Sequence, residues 1–169
     1  MKKALMFCFL LGAMVCTLRT EAQVKIGYID MQELIQSMPE TKNADSALQK
    51  FANQLQLQIQ SAQQEYQNKL IAYQQQADTL SDAIKEIRTR ELSNMQKNLQ
   101  DLSQAAQDSY QQKNQQLLQP IIEKAQKAVQ EVAKEKGYTY VFNKQQDILI
   151  VAPSADDLLP AVKAKLGIK

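Results

Sequence analysis

Histidine and tryptophan are missing from the 169-residue chain, and glycine and proline are scarce, at four residues each. Without histidine the chain lacks the commonest general base and the commonest metal ligand. With so few turn formers, a compact fold of many short strands gives way to long uninterrupted elements. Cysteine occurs only at Cys8 and Cys16, inside an N-terminal stretch that reads as a leader. The remaining chain therefore has no thiol nucleophile, no cysteine metal site and no disulfide to stiffen it.

That stretch, MKKALMFCFLLGAMVCTLRTEAQ, places Lys2 and Lys3 before an apolar run from Ala4 to Val15, with small residues at Thr20 and Ala22. This is the layout of a secretory signal peptide, residues 1–22, with export and cleavage after Ala22 expected. The apolar run is short of the roughly 20 residues that a spanning helix needs. Val15 before Cys16 and Phe7 before Cys8 do not suit lipidation. Removing Lys2, Lys3, Arg19 and Glu21 leaves 17 basic and 17 acidic residues. A neutral chain lacks the basic excess of a nucleic-acid binder, so no nucleic-acid partner is expected.

What is present is helical periodicity. VKIGYID, Val24 to Asp30, is β-branched and aromatic and reads as a strand. MQELIQSMPE follows, with one or two helical turns ending before Pro39. Residues 40–119 then contain neither Gly nor Pro and are rich in good helix formers. Apolar residues recur there at spacings of three and four on the way in, through Ala44, Leu48, Phe51, Leu55, Ile59, Ala62, Tyr66, Leu70, Tyr73 and Ala77; on the way out come Ile84 and Ile87, then Leu92, Met95, Leu99, Leu102, Ala106, Tyr110 and Leu117. This is an amphipathic, coiled-coil-like stripe, diluted by Ala and Tyr where a strong zipper would place Leu or Ile. Pro120 fits the first turn of a helix or a kink. The denser stripe that follows ends at Gly137, a natural helix stop. YTYVFN and DILIVA read as two strands of a hairpin joined by KQQ, and a short helix starting at Pro160 closes the chain.

One continuous helix over 40–119 would hold the first strand roughly 120 Å from the last two. A turn near residues 78–81, about midway between Pro39 and Pro120, brings them together. Asp78, Thr79, Ser81 and Asp82 supply turn and N-cap chemistry there. The expected fold class is α+β. A small body, residues 23–39 and 120–169, carries an antiparallel helical hairpin, residues 40–119, with arms on the order of 55–60 Å long. Three short strands do not bury a core alone, so a homo-oligomer is expected to pool Ile26, Tyr28, Ile29, Tyr140, Val141, Phe142, Ile148 and Ile150 into a shared body core.

The signal segment, KIGYIDMQELIQSMPE, the Gln-rich hairpin and LLQPIIEKAQKAVQEVAKEKGYTYVFN together resemble the OmpH-like family of periplasmic chaperones. The resemblance implies a trimer with a β body and three helical tentacles. It also implies a holdase, working without ATP or any cofactor, for unfolded outer-membrane proteins. The lack of a P-loop pattern agrees. Candidate client contacts on the arm are Leu57, Tyr66, Ile71, Tyr73, Leu92, Met95 and Tyr110, with Leu57, Ile71 and Leu92 placed off the main hairpin seam. Lys85, Arg88 and Arg90 form a basic patch beside the turn, a candidate for weak contact with a membrane surface. Ion pairing with Asp82, Glu86 and Glu91 is its plainer role. Family members carry strongly basic arms, whereas residues 40–119 hold eight basic and nine acidic residues, net −1. Electrostatic steering of clients is weakened accordingly. DDLLPAV also departs from the family's usual Thr cap before the last helix. A non-catalytic coiled-coil adaptor of the cell envelope is the rival reading. An enzyme would need a carboxylate or lysine site, and Asp30 and Asp147 stand isolated near strand ends.

Overall fold

A computed structural model of the chain describes residues 24–144 and 149–168. Strand β1, Ile26–Ile29, leads into helix α1, Met31–Ser37, whose N-cap Asp30 accepts a hydrogen bond from the Glu33 amide at 2.8 Å. Met38 is extended, at φ −73° and ψ 134°, as the residue before a proline prefers. Its side chain is fully buried. Pro39 then opens α2, Pro39–Gln76, from the first position, where its missing N–H costs nothing.

The chain turns back between α2 and α3, Asp82–Glu135, through a single 3₁₀ turn at Ala77–Thr79 and two extended residues, Leu80 and Ser81. No glycine is needed, because all five residues keep negative φ values or ordinary helical geometry. Ser81 stands at the N-cap with its carbonyl accepting from the Lys85 amide at 3.0 Å, although its hydroxyl makes no cap bond. Helix α3 runs through Pro120 without interruption. This proline is therefore neither a helix start nor a boundary: it sits inside a helix already many turns long. The loss of one ladder hydrogen bond is tolerated where Ile121, Ala125, Ala128, Val129 and Val132 begin to bury the helix against the body. Gly137, at φ 72°, ends the helix, with the Tyr138 amide bonded back to the Ala133 carbonyl at 2.9 Å.

Strand β2, Tyr140–Asn143, pairs with β1 in parallel, Ile26 opposite Tyr140 and Ile29 opposite Asn143. Parallel partners need a long crossover, and here the crossover is the hairpin itself. Among the described residues the second strand of the expected β-hairpin is not formed. Leu149–Ala152 carry no strand, and Ile150 and Val151 stand 93% and 86% exposed. Within one chain these side chains meet no apolar surface on which a strand could settle, and β2 takes β1 as its partner instead. Residues 145–148, including Ile148, lie outside the described residues. On the other side of β1, Tyr28 bridges to Asp157 and the Leu158 amide bonds to the Tyr28 carbonyl at 2.9 Å. Helix α4, Leu159–Lys165, has Pro160 at its second position.

The core gathers Ile29, Leu34, Met38, Leu158 and Val162 against Ile121, Ala125 and Val132 of α3. Gly27 is required there, because a Cβ would lie 2.5 Å from Leu158 Cδ1 and 2.9 Å from the Tyr138 ring. Lys163 bonds Glu33 at 2.7 Å, while Lys165 bridges Glu131 at 3.1 Å and also reaches Glu135. Both carboxylates hold the Lys165 ammonium above its ordinary range, Glu135 most.

Candidate functional site

Long rod-like arms offer surface rather than a pocket, so the site is sought along α2 and α3. The seam between them is only half-buried. Leu55, Ile59, Tyr66 and Leu70 face Leu92, Met95, Leu99 and Leu102, but small residues such as Ala62, Ala72 and Ala77 leave gaps. One groove of about 190 Å³ is lined by Ala72, Tyr73, Leu80 and Leu92, and a second of about 290 Å³ by Ala62, Met95, Leu99 and Leu102. Between the two grooves, Lys69 of α2 donates to Glu91 of α3, and Arg88 Nη1 donates to the other Glu91 oxygen at 3.0 Å. These cations, Lys69 first and Arg88 second, hold the Glu91 carboxyl below the usual carboxylate range. At the arm base, Lys124 reaches Glu40 and lowers that carboxyl likewise. The second Glu40 oxygen is buried without a partner among the described residues. It borders an apolar groove of about 410 Å³ lined by Ala44, Leu117, Pro120 and Ile121. The arm is thus pinned at its base and again three-quarters of the way to its tip.

The candidate client residues divide by location. Tyr66, Tyr73, Leu92 and Met95 are half-buried on the seam. Leu92, expected off the main seam, lines the outer groove between α2 and α3. Leu57, Ile71 and Tyr110 are exposed, at 64%, 49% and 40%. Ile84 and Ile87, expected within the stripe, are exposed as well. Ile84 reaches the level of the turn, where α2 has ended and no helix covers it. In the tip patch, Arg90 pairs with Glu86 at 2.7 Å and Arg88 with Glu91, leaving Lys85 without a carboxylate among the described residues. On the body, Tyr28 and Ile29 are buried and Val141 is half-buried. Ile26, Tyr140 and Phe142 expose about half their surface, alongside Val24. Ile26, Tyr140 and Phe142 are among the residues expected to be pooled between subunits, and within one chain they form the uncovered face of the sheet.

Among the described residues there is no group of carboxylates that could hold a metal ion, and no helix long and apolar enough to cross a membrane. What the chain presents is a long amphipathic surface on a small α+β body.

Such a hairpin-on-a-sheet architecture has relatives of known structure. A crystal structure of an OmpH-like protein from Caulobacter crescentus CB15, proposed to be an outer membrane chaperone, superposes with a TM-score of 0.74. It is 17% identical, over 83% of this chain and 82% of that one, a likeness that establishes the fold. No curated protein sequence matches the chain. Residues 25–166 match the family described as Outer membrane protein (OmpH-like), and the chain belongs to that family.

Proposed function

We propose that the protein is an ATP-independent holdase of the periplasm. In this reading it sequesters unfolded outer-membrane proteins between its helical arms and keeps them from aggregating before membrane insertion. Membership of the OmpH-like family supports a chaperone role in outer-membrane protein biogenesis. The observation that carries the finer reading is the dispersal of exposed apolar groups along the arm: Leu57, Ile71 and Tyr110 stand far apart, and Ile84 with Ile87, one turn apart, makes a small patch beside the tip. A holdase must shield apolar segments without retaining them. Partial burial of one such side chain contributes less than the about 1.5–3 kcal/mol of full burial. Many such contacts on several arms add through multivalency while each is readily released.

The working form in this reading is a homotrimer. Its subunits cover one another's Ile26, Tyr140 and Phe142 and recruit Ile150 and Val151, which a lone chain leaves in water. The leader 1–22 is removed on export. For the tip, the two arginine ion pairs favour a structural role over lipid contact.

The test is aggregation of an unfolded outer-membrane β-barrel protein diluted from denaturant without nucleotide. Light scattering should fall to the buffer baseline at a molar excess of the protein. Unchanged aggregation at excess would remove the chaperone reading and leave the structural-adaptor alternative.

A further inference from the structure

Between residues 40 and 119 the chain carries twenty glutamines, and every one is exposed. Glutamine is a fair helix former, and a solvated face is its ordinary use. Of the eleven on α2, however, six fall in line while the other five spread over the rest of the solvated face. Gln49, Gln56, Gln60, Gln63, Gln67 and Gln74 fall within a sector of about 60° at 3.6 residues per turn, in a row about 38 Å long. The row lies roughly a third of a turn around α2 from the seam, so packing against α3 does not occupy it. Arm glutamines whose side chains find protein partners are Gln104, Gln116 and Gln119, all on α3. Among the described residues the α2 row has none.

A carboxamide offers two donors and an acceptor with two lone pairs. It can therefore pair with both the N–H and the C=O of a peptide unit, the two groups that an unfolded chain presents to water rather than to protein partners. Spacing fits too. Glutamines four apart are about 6.0 Å apart along the helix. Backbone groups on one edge of an extended chain repeat at about 6.6–6.8 Å, two residues at a time, and a flexible side chain absorbs the difference. Other means of gripping an extended chain are thin on this arm. Its charges net −1, and the large apolar side chains exposed on α2 are Leu57 and Ile71.

We propose that the glutamine row of α2 is a rail for extended polypeptide backbone, binding an unfolded chain through its peptide groups and so independently of its sequence. This rests on the chaperone reading and states how a client is held. Each amide contact exchanges for water and is individually weak, and the row acts through repetition.

The test titrates the full mature chain into a fluorescently labelled, unfolded outer-membrane β-barrel polypeptide. The variant Q56A/Q60A/Q63A/Q67A removes four amides while raising helix propensity and apolar exposure. Amide recognition predicts about ten-fold weaker binding with unchanged helical circular dichroism. It also predicts less than about a two-fold change in affinity of the unsubstituted protein between about 0.05 and 0.5 M salt. Binding that is unchanged or tighter in the variant overturns the rail and leaves the chaperone reading standing. An unsubstituted protein that binds no unfolded chain overturns both. Independently of the variant's folding, a peptide with alternate backbone nitrogens methylated should bind the unsubstituted protein about ten-fold more weakly than its parent. Equal binding of the two peptides also overturns the rail.

Discussion

At the scale of single residues, the body depends on close fits around β1. Gly27 lies between Leu158 and Tyr138, with both neighbours inside the reach of a methyl group. Leu158 is buried and cannot swing away, and the Tyr138 hydroxyl is held by Asp156 at 3.2 Å. Burial first, and then the Asp156 carboxylate, push the Tyr138 phenol above its ordinary range. Gly27→Ala should destabilise the protein by about 1–3 kcal/mol, as overpacking does, read as a lower denaturant midpoint with unchanged slope. An unshifted midpoint would show that the contact yields freely. Nothing in the sequence marks this glycine as one of close approach, because the residues that crowd it come from more than a hundred positions away. Asp30, by contrast, was readable as a strand end, and it caps α1.

Among the elements, the arm was the most legible. Apolar spacing of three and four fixes two long helices, and the need to reunite the strands fixes a turn near residue 80. The turn came out at Ala77–Ser81, although only one of the two bracketing prolines is a helix boundary. Pro39 opens α2, while Pro120 lies inside α3, where local chemistry yields to tertiary packing around Ile121. What spacing does not reveal is rotation of one helix about the other. Leu92 lines the groove beside the Lys69–Glu91 ion pair, while Ile87 stands outside.

The outer pairing has a pH consequence. Glu91 titrates below its ordinary range, so the stability it contributes is fully present above about pH 4.5 and is lost as pH falls through its lowered folded value. Hydrogen exchange of amides near Leu70 and Leu92, corrected for its intrinsic pH dependence, should accelerate several-fold in that acid window. Glu91→Gln should reproduce the acceleration at neutral pH. Amides near Ile121, inside the body core, should not respond. Equal protection of the outer arm in both proteins would show that the seam holds without its clamp.

For the whole molecule, the strand pairing and the uncovered sheet face are linked. Sequence alone suggested a hairpin of two C-terminal strands. The single chain instead pairs β2 with β1 and leaves Ile150 and Val151 in water. Pairing choices among short strands are decided by which surface is available to cover them, and that surface is not encoded locally. Light scattering and intact mass on the exported protein should report three chains, each beginning at Gln23. A concentration-independent monomer would remove the trimer, and a retained leader would remove the cleavage.

The parallel pairing of Ile26–Ile29 with Tyr140–Asn143 has one more consequence. Closing a floppy loop of about 110 residues to join these strands would cost roughly 4 kcal/mol of chain entropy. The zipped helices remove most of that cost by delivering both strands to one place before they meet. The tentacle is thus also the tether of its own body. Prising α2 from α3 would loosen the sheet at the far end of the molecule, so under the proposed holdase reading cargo belongs on the arm's flanks and not within its seam.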